Sequence, residues 1–405
     1  MSDRRVNDTT RRAFLRHLLL GGATLAAVPM LQACSGSGST PAPTSAPAKP
    51  AESKPAESKP AAPAAQPATT QAPAAQAAPA QKAAPSSGVD LEAAKKEGKL
   101  VWYTPTPDED IPRVLALFKA KYPWVDTSEY LRLQSGKLYA KIEPEMEQNV
   151  QSCDVLTLSE IALTADFQKK GYWMSYLSPE TATFDAKWKS TPEGLWTAPQ
   201  LTLAGIGWNP KNVTADEAPK GWEDLLNPKW KGQINVKDSA SGLQYASYAM
   251  ITEKYGAGYW EKFAAQQPIA MAGTAQQFEK IINGENKINA LCQQSTFTLN
   301  KAKGAPVEMA FPQDGVPQIS LQYGIVKNAP HPNVAKLFID WLLSNEGGSQ
   351  VFPETLGDPF TRPGAKSPQF VPPMSELNIW TPKDMDKYIA EQPAWRDTWN
   401  KLTGM

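Results

Sequence analysis

Residues 91–122 read LEAAKKEGKLVWYTPTPDEDIPRVLALFKAKY, and helical and strand patterns alternate along them. Leu91–Gly98 predicts a short helix that ends at glycine, and Lys99–Tyr103 predicts an apolar strand that the following prolines stop. Asp108–Tyr122 predicts a second helix, because its apolar residues recur at the three- and four-residue spacing of one helix face.

The same alternation continues further along the chain. Leu138–Val150 predicts a helix, Cys153–Leu158 a strand, and Ala162–Lys170 a helix that a glycine caps. Strands that alternate with helices predict an α/β fold with a mainly parallel sheet. Ligands of such sheets bind beyond the carboxyl ends of the strands, which here are Thr104–Thr106 and Leu158–Glu160.

The amino terminus carries an export pattern. Arg11 and Arg12 precede an uncharged apolar run, Leu18–Leu31, and the run closes with Leu31-Gln32-Ala33-Cys34. These features predict a signal peptide over residues 1–33, and the paired arginines favour the Tat route. The closing residues resemble a bacterial lipobox, which implies lipid attachment at Cys34. A transmembrane anchor is the alternative, but the run has about 14 residues where a spanning helix needs about 20.

Residues 34–88 predict a disordered tether. They are rich in Ala, Pro, Ser and Gln and contain no aromatic residue and no Leu, Ile or Val, so they cannot build a core. The prolines favour extended polyproline II conformation. Such a tether would hold a folded domain close to a membrane if Cys34 is lipidated, and a tail without function is the alternative.

The folded part is predicted over residues 89–405, and its length of roughly 315 residues favours two lobes over one core. The chain balances 41 basic against 41 acidic residues, and the absence of a basic cluster argues against a nucleic-acid partner. Cys153 and Cys292 lie in apolar runs, so buried free thiols are favoured over a disulfide. His331 is the one histidine outside the leader, which argues against a histidine general base.

Four regions resemble, in order along the chain, bacterial extracellular solute-binding proteins, in the branch that includes the ferric-iron binding proteins of ABC importers. They are IGWNPK (206–211), APKGWEDLLNPKWKG (218–232), FPQDG with GIVKNAPHP (311–315 and 324–332), and AKLFIDWLLS with a following Glu-Gly pair (335–347). Within the second region, Trp222 and Trp230 are most simply core anchors, so we do not predict them as ligand contacts.

This resemblance implies a two-lobed periplasmic-binding-protein-like fold of type II, with the ligand cleft between the lobes. Lobe 1 is expected at about 99–200 and 308–345, lobe 2 at about 205–305, and further helices up to residue 405. Crossing strands are expected near 200–207 and 307–311. Closure about this hinge would bury the solute and present a closed surface to a permease. Gly205 and Gly207 suit a flexing strand, and close packing explains them equally well.

Small polar residues at two helix starts are candidates for the solute site. Ser239–Gly242 precedes a helix predicted over Leu243–Tyr255, and Gly273-Thr274 opens another. Hydroxyl groups at such positions can cap the free backbone amides of the helix, and the same amides can instead face an anion. The sequence leaves both interpretations open.

The residues expected to contact the solute differ from those of the ferric-iron binding members. The stretch that matches the iron-ligand region, Ile288–Phe297, lacks the Tyr-Tyr pair of ferric-iron binding members, and Thr104-Pro105-Thr106 stands where some members place histidine. We therefore predict no metal and no cofactor. The polar residues here suit hydrogen bonds to an organic or oxyanionic solute, or a solvated turn. The predicted site combines strand ends, helix starts and a turn near the hinge: Thr104, Thr106, Ser159, Ser239, Ser241, Gly242, Gly273, Thr274, Gln294, Ser295, Thr296, Asp314 and Gly315.

Together these patterns predict a monomeric, exported lipoprotein that faces the periplasm or the cell exterior and captures a small-molecule or ion solute for an ABC permease. An exported enzyme is one alternative, but the chain has no Gly-x-Ser-x-Gly, His-Glu-x-x-His, Cys-x-x-Cys or phosphate-loop motif. A tethered sensor that presents the solute to a receptor is the other alternative.

Overall fold

The structure is a computed structural model that describes residues 88–150, 152–239 and 241–404. The predicted signal peptide, the lipidation site Cys34 and all but the last residue of the tether lie outside these ranges. Within them, no helix combines the length and the apolar character that crossing a bilayer requires.

The described chain alternates strands and helices. The strands are β1 (Lys99–Thr104), β2 (Asp126–Arg132), β3 (Val155–Leu158), β4 (Thr197–Trp208), β5 (Ile234–Lys237), β6 (Ile269–Met271), β7 (Ile288–Gln293), β8 (Glu308–Ala310) and β9 (Gln318–Ile325). The α-helices are α1 (Leu91–Glu97), α2 (Ile111–Lys121), α3 (Ser135–Glu147), α4 (Ile161–Lys169), α5 (Gly242–Tyr255), α6 (Gly258–Ala264), α7 (Thr274–Ile282), α8 (Gln294–Ala302), α9 (Pro332–Leu343), α10 (Asn345–Ser349) and α11 (Met385–Thr403). A π-helical turn, Gln350–Leu356, follows α10, and short 3₁₀ turns lie at Thr181–Thr183, Ala186–Trp188, Trp222–Leu226, Pro228–Trp230 and Met374–Glu376.

The local patterns predicted most of these elements. Helices α1, α2 and α4 and strands β1 and β3 are confirmed, and Gly98 ends α1 in the left-handed conformation that glycine favours. The mainly parallel sheet is wrong. The strands form one mixed sheet in the order β2-β1-β3-β9-β4-β7-β5-β6, with β8 beside β4. The parallel pairs flank a centre in which β4 and β9 run antiparallel to their neighbours.

Strand β4 belongs to both halves of the sheet. Its residues 197–203 pair with β9, and its residues 204–208 pair with β7 and β8. The first crossing predicted near 200–207 therefore falls within this strand. The second comes later than predicted, because β8 still pairs with 206–208 and the chain reaches β9 only at Gln318.

Two hydrophobic cores flank the crossing strands. In lobe 1, built from β1–β3, β9, α1–α4, α9 and α10, Trp102, Phe118 and Phe338 pack edge to face. In lobe 2, built from β5–β8, α5–α8 and α11, Trp260 and Trp399 share a core with the sequence-predicted anchors Trp222 and Trp230. The residue bounds expected for the two lobes stay a prediction.

Close packing accounts for the glycines of β4. A Cβ on Gly205 would lie 2.5 Å from the carbonyl oxygen of Ala310, and one on Gly207 would lie 2.8 Å from Sγ of Cys292. Both distances are too short for a side-chain carbon, so each position requires glycine to let β7 and β8 approach. Cys153 and Cys292 are both buried free thiols, as the sequence favoured.

Candidate functional site

A cleft of about 790 Å³ opens between the two lobes. Lobe 1 contributes the loop after β1, the carboxyl end of β2 and Ser159 after β3, while lobe 2 contributes the starts of α5, α7 and α8. The crossing strands form the floor through Gln200, Thr202, Ile319 and Leu321. The cleft thus lies at the carboxyl ends of strands from both lobes, where the topology predicts a ligand.

Most of the predicted site residues come together along this cleft. Its walls include Thr106, Ser159, Ser241, Gly242, Gly273, Thr274, Ser295 and Thr296. The structure does not bring the remaining five to the cavity wall: Thr104, Ser239, Gln294, Asp314 and Gly315.

Local contacts explain where those five residues lie. Thr104 is fully buried and its hydroxyl bonds that of Thr106 at 2.8 Å, so it positions a wall residue. Gln294 is also fully buried, and its Nε2 donates to Thr298 Oγ1 and to the carbonyl oxygen of Gly357. Ser239 lies in the loop after β5, and Asp314-Gly315 lies in the connection from β8 to β9.

Three helices of lobe 2 begin at the cleft without a side-chain cap. The N-cap residues of α5, α7 and α8 are Ser241, Gly273 and Gln293. The side chains of Ser241 and Gln293 accept no hydrogen bond from their own helices, and glycine has no side chain to do so. The first-turn amides of a helix have no partner within the helix, and they carry the positive end of its dipole. Side-chain capping, one of the two interpretations left open, is therefore not used here, and the arrangement suits an anion or a hydroxyl-rich solute.

Arg132 is a cationic wall residue that the sequence analysis missed. It ends β2, its side chain is 30% exposed, and its buried Nε has no hydrogen-bond partner among the described residues. The nearest carboxylate oxygen, Oδ2 of Asp108, lies 3.9 Å away, which is too far for a hydrogen bond. The guanidinium thus retains donor capacity at the cleft.

Asp358 is the second missed residue, and it lies on the cleft floor after the π-helical turn. It is 4% exposed and accepts hydrogen bonds from Nε2 of Gln200 at 2.6 Å and from Oγ1 of Thr202 at 3.3 Å. Burial, the largest influence, raises the pKa of Asp358 to about 7, although the hydrogen bonds from Gln200 and Thr202 act in the opposite direction. The neighbouring carbonyl of Gly357 accepts a hydrogen bond from Gln294, so this segment connects a crossing strand to the start of α8.

Further charged groups give the cleft a mixed character. Lys237 and Lys303 line it together with the carboxylates of Glu109, Asp110, Asp238 and Glu279, and burial lowers the pKa of Lys237. Oδ1 of Asp110 accepts a hydrogen bond from Arg113 at 2.7 Å, so that carboxylate is partly neutralised. The described residues that line the cleft include no Tyr, His or Cys. Hydroxyl and amide groups are the most numerous polar groups on this wall, and these recognise oxygen-rich organic solutes.

Comparisons with known proteins agree with this architecture. Residues 152–377 match a protein family described as "Bacterial extracellular solute-binding protein". An uncharacterized protein of Haemophilus influenzae is 26% identical over 269 residues, which cover 63% of this chain and 75% of that protein. A probable ABC transporter periplasmic-binding protein of Sinorhizobium fredii is 24% identical over 288 residues, which cover 65% of this chain and 76% of the relative.

Two solved structures share the fold. The periplasmic binding protein AfuA from Actinobacillus pleuropneumoniae, with fructose-6-phosphate bound, superposes with a TM-score of 0.63 at 24% identity, covering 76% of this chain and 99% of AfuA. Iron-bound HitA from Pseudomonas aeruginosa superposes with a TM-score of 0.64 at 18% identity, with the same coverage of 76% and 99%. The two neighbours hold different solutes, so the fold alone does not identify the one that binds here.

Proposed function

Because the chain belongs to the family of bacterial extracellular solute-binding proteins, we propose that it is the solute-binding component of an ABC uptake system. The interlobe cleft carries this proposal, since both lobes and the crossing strands supply its walls. Rotation of the lobes about β4 and the β8–β9 connection would close the cleft around a solute. A monomer would then deliver the solute to a permease, and a sensor that presents the closed form to a receptor is the competing role.

The solute that this cleft suits best is a small organic oxyanion with hydroxyl groups, such as a sugar phosphate. The free donor capacity of Arg132 and the uncapped starts of α5, α7 and α8 support the anionic part. Wall hydroxyls such as Thr106, Ser159 and Thr274 suit sugar hydroxyls. The fructose-6-phosphate bound to AfuA lends support from a protein of the same fold. Ferric iron is disfavoured, because phenolate and imidazole donors are absent from the described cleft wall.

A ligand screen tests this function. We expect thermal-shift and calorimetric titrations to find a sugar phosphate that stabilises the protein, because a ligand that binds the folded form alone adds RT ln(1 + [L]/Kd) to its stability. The panel should include the parent sugars, inorganic phosphate, phosphonates, sulfonates, amino acids, polyamines and ferric citrate. Stabilisation by ferric citrate alone, with a visible tyrosinate charge-transfer band, would refute an organic solute.

A glycine at the cleft offers a steric test of its location. Gly273 has an ordinary extended backbone, and a Cβ placed there meets nothing within 4 Å, so Gly273→Leu should fold normally while its side chain enters the cleft. We expect this variant to lose the solute-induced thermal shift and to keep the unliganded melting temperature within a few degrees. Gly258→Leu, on the exposed start of α6 with equally open space, is the matched control and should bind normally. Unchanged binding by the cleft variant would place the site elsewhere.

We further propose that residues 1–33 direct export through the Tat route, that Cys34 carries the lipid, and that residues 34–88 tether the domain. The twin arginines and the lipobox-like sequence before Cys34 support this organisation. Cys34→Ser should move the mature protein from the membrane fraction to the soluble fraction, since one acylated residue supplies the anchor. A wild-type protein without lipid in intact-mass measurements would contradict the proposal.

A further inference from the structure

A second cavity lies on the opposite face of the crossing strands. We call it the back pocket, and it measures about 90 Å³. Its walls include Ile161, Trp188, Trp196, Met250, Gln318 and Tyr388. Ser159 and Ile319 border both cavities, and the other wall residues belong to the back pocket alone.

The strand register places the two cavities on opposite faces of the crossing strands, although Ile319 borders both. Thr202 of β4 pairs with Ile319 of β9, and both line the solute cleft. The next pair, Leu203 and Gln318, points to the other face, because successive side chains of a strand alternate between faces. Gln318 lines the back pocket there, so the crossing strands carry one cavity on each side.

Gln318 also supplies an unused hydrogen-bond acceptor. The residue is 6% exposed, and its Oε1 has no hydrogen-bond partner among the described residues. A buried acceptor without a partner costs about 1–3 kcal/mol, and a bound molecule with a suitable donor would recover that free energy. The pocket therefore has the composition of a ligand site, in which an apolar wall surrounds a few polar groups that fix orientation.

The remaining walls favour an aromatic ring. Trp188, Trp196 and Tyr388 face the same space as Met250, and aromatic and thioether groups pack favourably against the face or edge of a ring. An enclosed apolar cavity of about 150 Å³ accommodates benzene, so the smaller back pocket, which opens to solvent, would hold a ring partly and leave its substituents outside. Both lobes contribute, with Ile161 from α4 of lobe 1 and Met250 from α5 of lobe 2.

We propose that the back pocket is a second binding site, which takes the aromatic ring of a small molecule whose hydroxyl or N–H group donates a hydrogen bond to Gln318. The site is distinct from the solute cleft and does not depend on the identity of the transported solute.

Phenol and its methyl ether anisole are matched probes, because only phenol has a donor. For the purified chain, we expect saturable phenol binding in the millimolar range by saturation-transfer NMR titration, and anisole binding at least about fivefold weaker. Gln318→Met keeps the length of the side chain and removes the acceptor, so the two probes should bind it equally. Ile161→Trp should narrow the pocket and abolish binding of both.

Gly273→Leu separates the two cavities, since it obstructs the solute cleft and should leave the affinity for phenol unchanged. Loss of phenol binding in that variant, or normal binding in Ile161→Trp, would assign the probe to another place and overturn the proposal. Absence of saturation below about 10 mM phenol, a weak affinity even for a ligand of this size, would do the same. Persistence of the phenol preference in Gln318→Met would refute the role of its amide oxygen.

Discussion

Replacing Arg132 by methionine is expected to weaken the binding of an anionic solute by about 10- to 150-fold. A hydrogen bond between charged groups contributes about 1.5–3 kcal/mol, and each 1.4 kcal/mol changes the dissociation constant tenfold. The guanidinium lies at the cleft with a buried donor that no described residue occupies, so the folded protein does not use that donor internally. Its 3.9 Å separation from Asp108 leaves little ion-pair energy to lose, and unliganded stability should change by less than about 1 kcal/mol.

Comparing the affinities for a charged and a neutral ligand isolates the contribution of Arg132 to anion binding. Calorimetric titration with a sugar phosphate and with its parent sugar should show that Arg132→Met lowers the affinity for the phosphate and hardly alters that for the sugar. Arg132→Lys should recover part of the loss, since lysine keeps the charge and loses the paired donor geometry. Arg396→Met, an exposed position on α11 outside the cleft wall, is the matched control. An affinity for the phosphate within about threefold of wild type would remove Arg132 from the site.

The sequence predicted the helix-start part of the cleft better than its charged part. Ser241, Gly242, Gly273 and Thr274 stand where a local pattern changes from strand to helix, and the rule that ligands bind at such ends needs no knowledge of long-range contacts. Arg132 was missed because β2 is an edge strand with a largely exposed, polar sequence, which gives little periodic signal.

Long-range packing accounts for the other site residues and for the sheet topology that the sequence did not predict. Asp358 reaches the cleft only because the π-helical turn brings the chain back to Gln200 and Thr202 of β4, more than 150 residues earlier. The sequence predicted Gln294 as a cleft-wall residue from its position in the chain. Its side-chain amide instead donates hydrogen bonds to Thr298 and to the carbonyl oxygen of Gly357. The mixed sheet has the same origin, since local patterns predict strands without giving their direction.

Asp358→Asn is expected to change how the stability of the protein depends on pH. Burial raises the pKa of Asp358 from 3.8 to about 7, so between these values the folded state holds a proton that the unfolded state has released. Stability contributed by this proton is fully present below the unfolded pKa and is lost as pH rises through the folded pKa. Wild type should therefore lose about 3 kcal/mol of unfolding free energy from this group between about pH 5 and pH 8. The asparagine variant, which does not ionise, should lack that loss.

Urea unfolding of both proteins across this pH range measures the difference directly, and the difference cancels contributions from other titrating groups. Asp126→Asn is the matched control, because Asp126 is exposed and its pKa is lowered, so it is ionised in both states throughout this window. Parallel pH profiles for wild type and Asp358→Asn would show that Asp358 is already ionised in the folded protein.

The protonation state of Asp358 should also affect the affinity for the solute. An ionised Asp358 adds a negative charge to the cleft floor, so the affinity for an anionic solute should fall as pH rises through about 7 in wild type and stay flatter in Asp358→Asn.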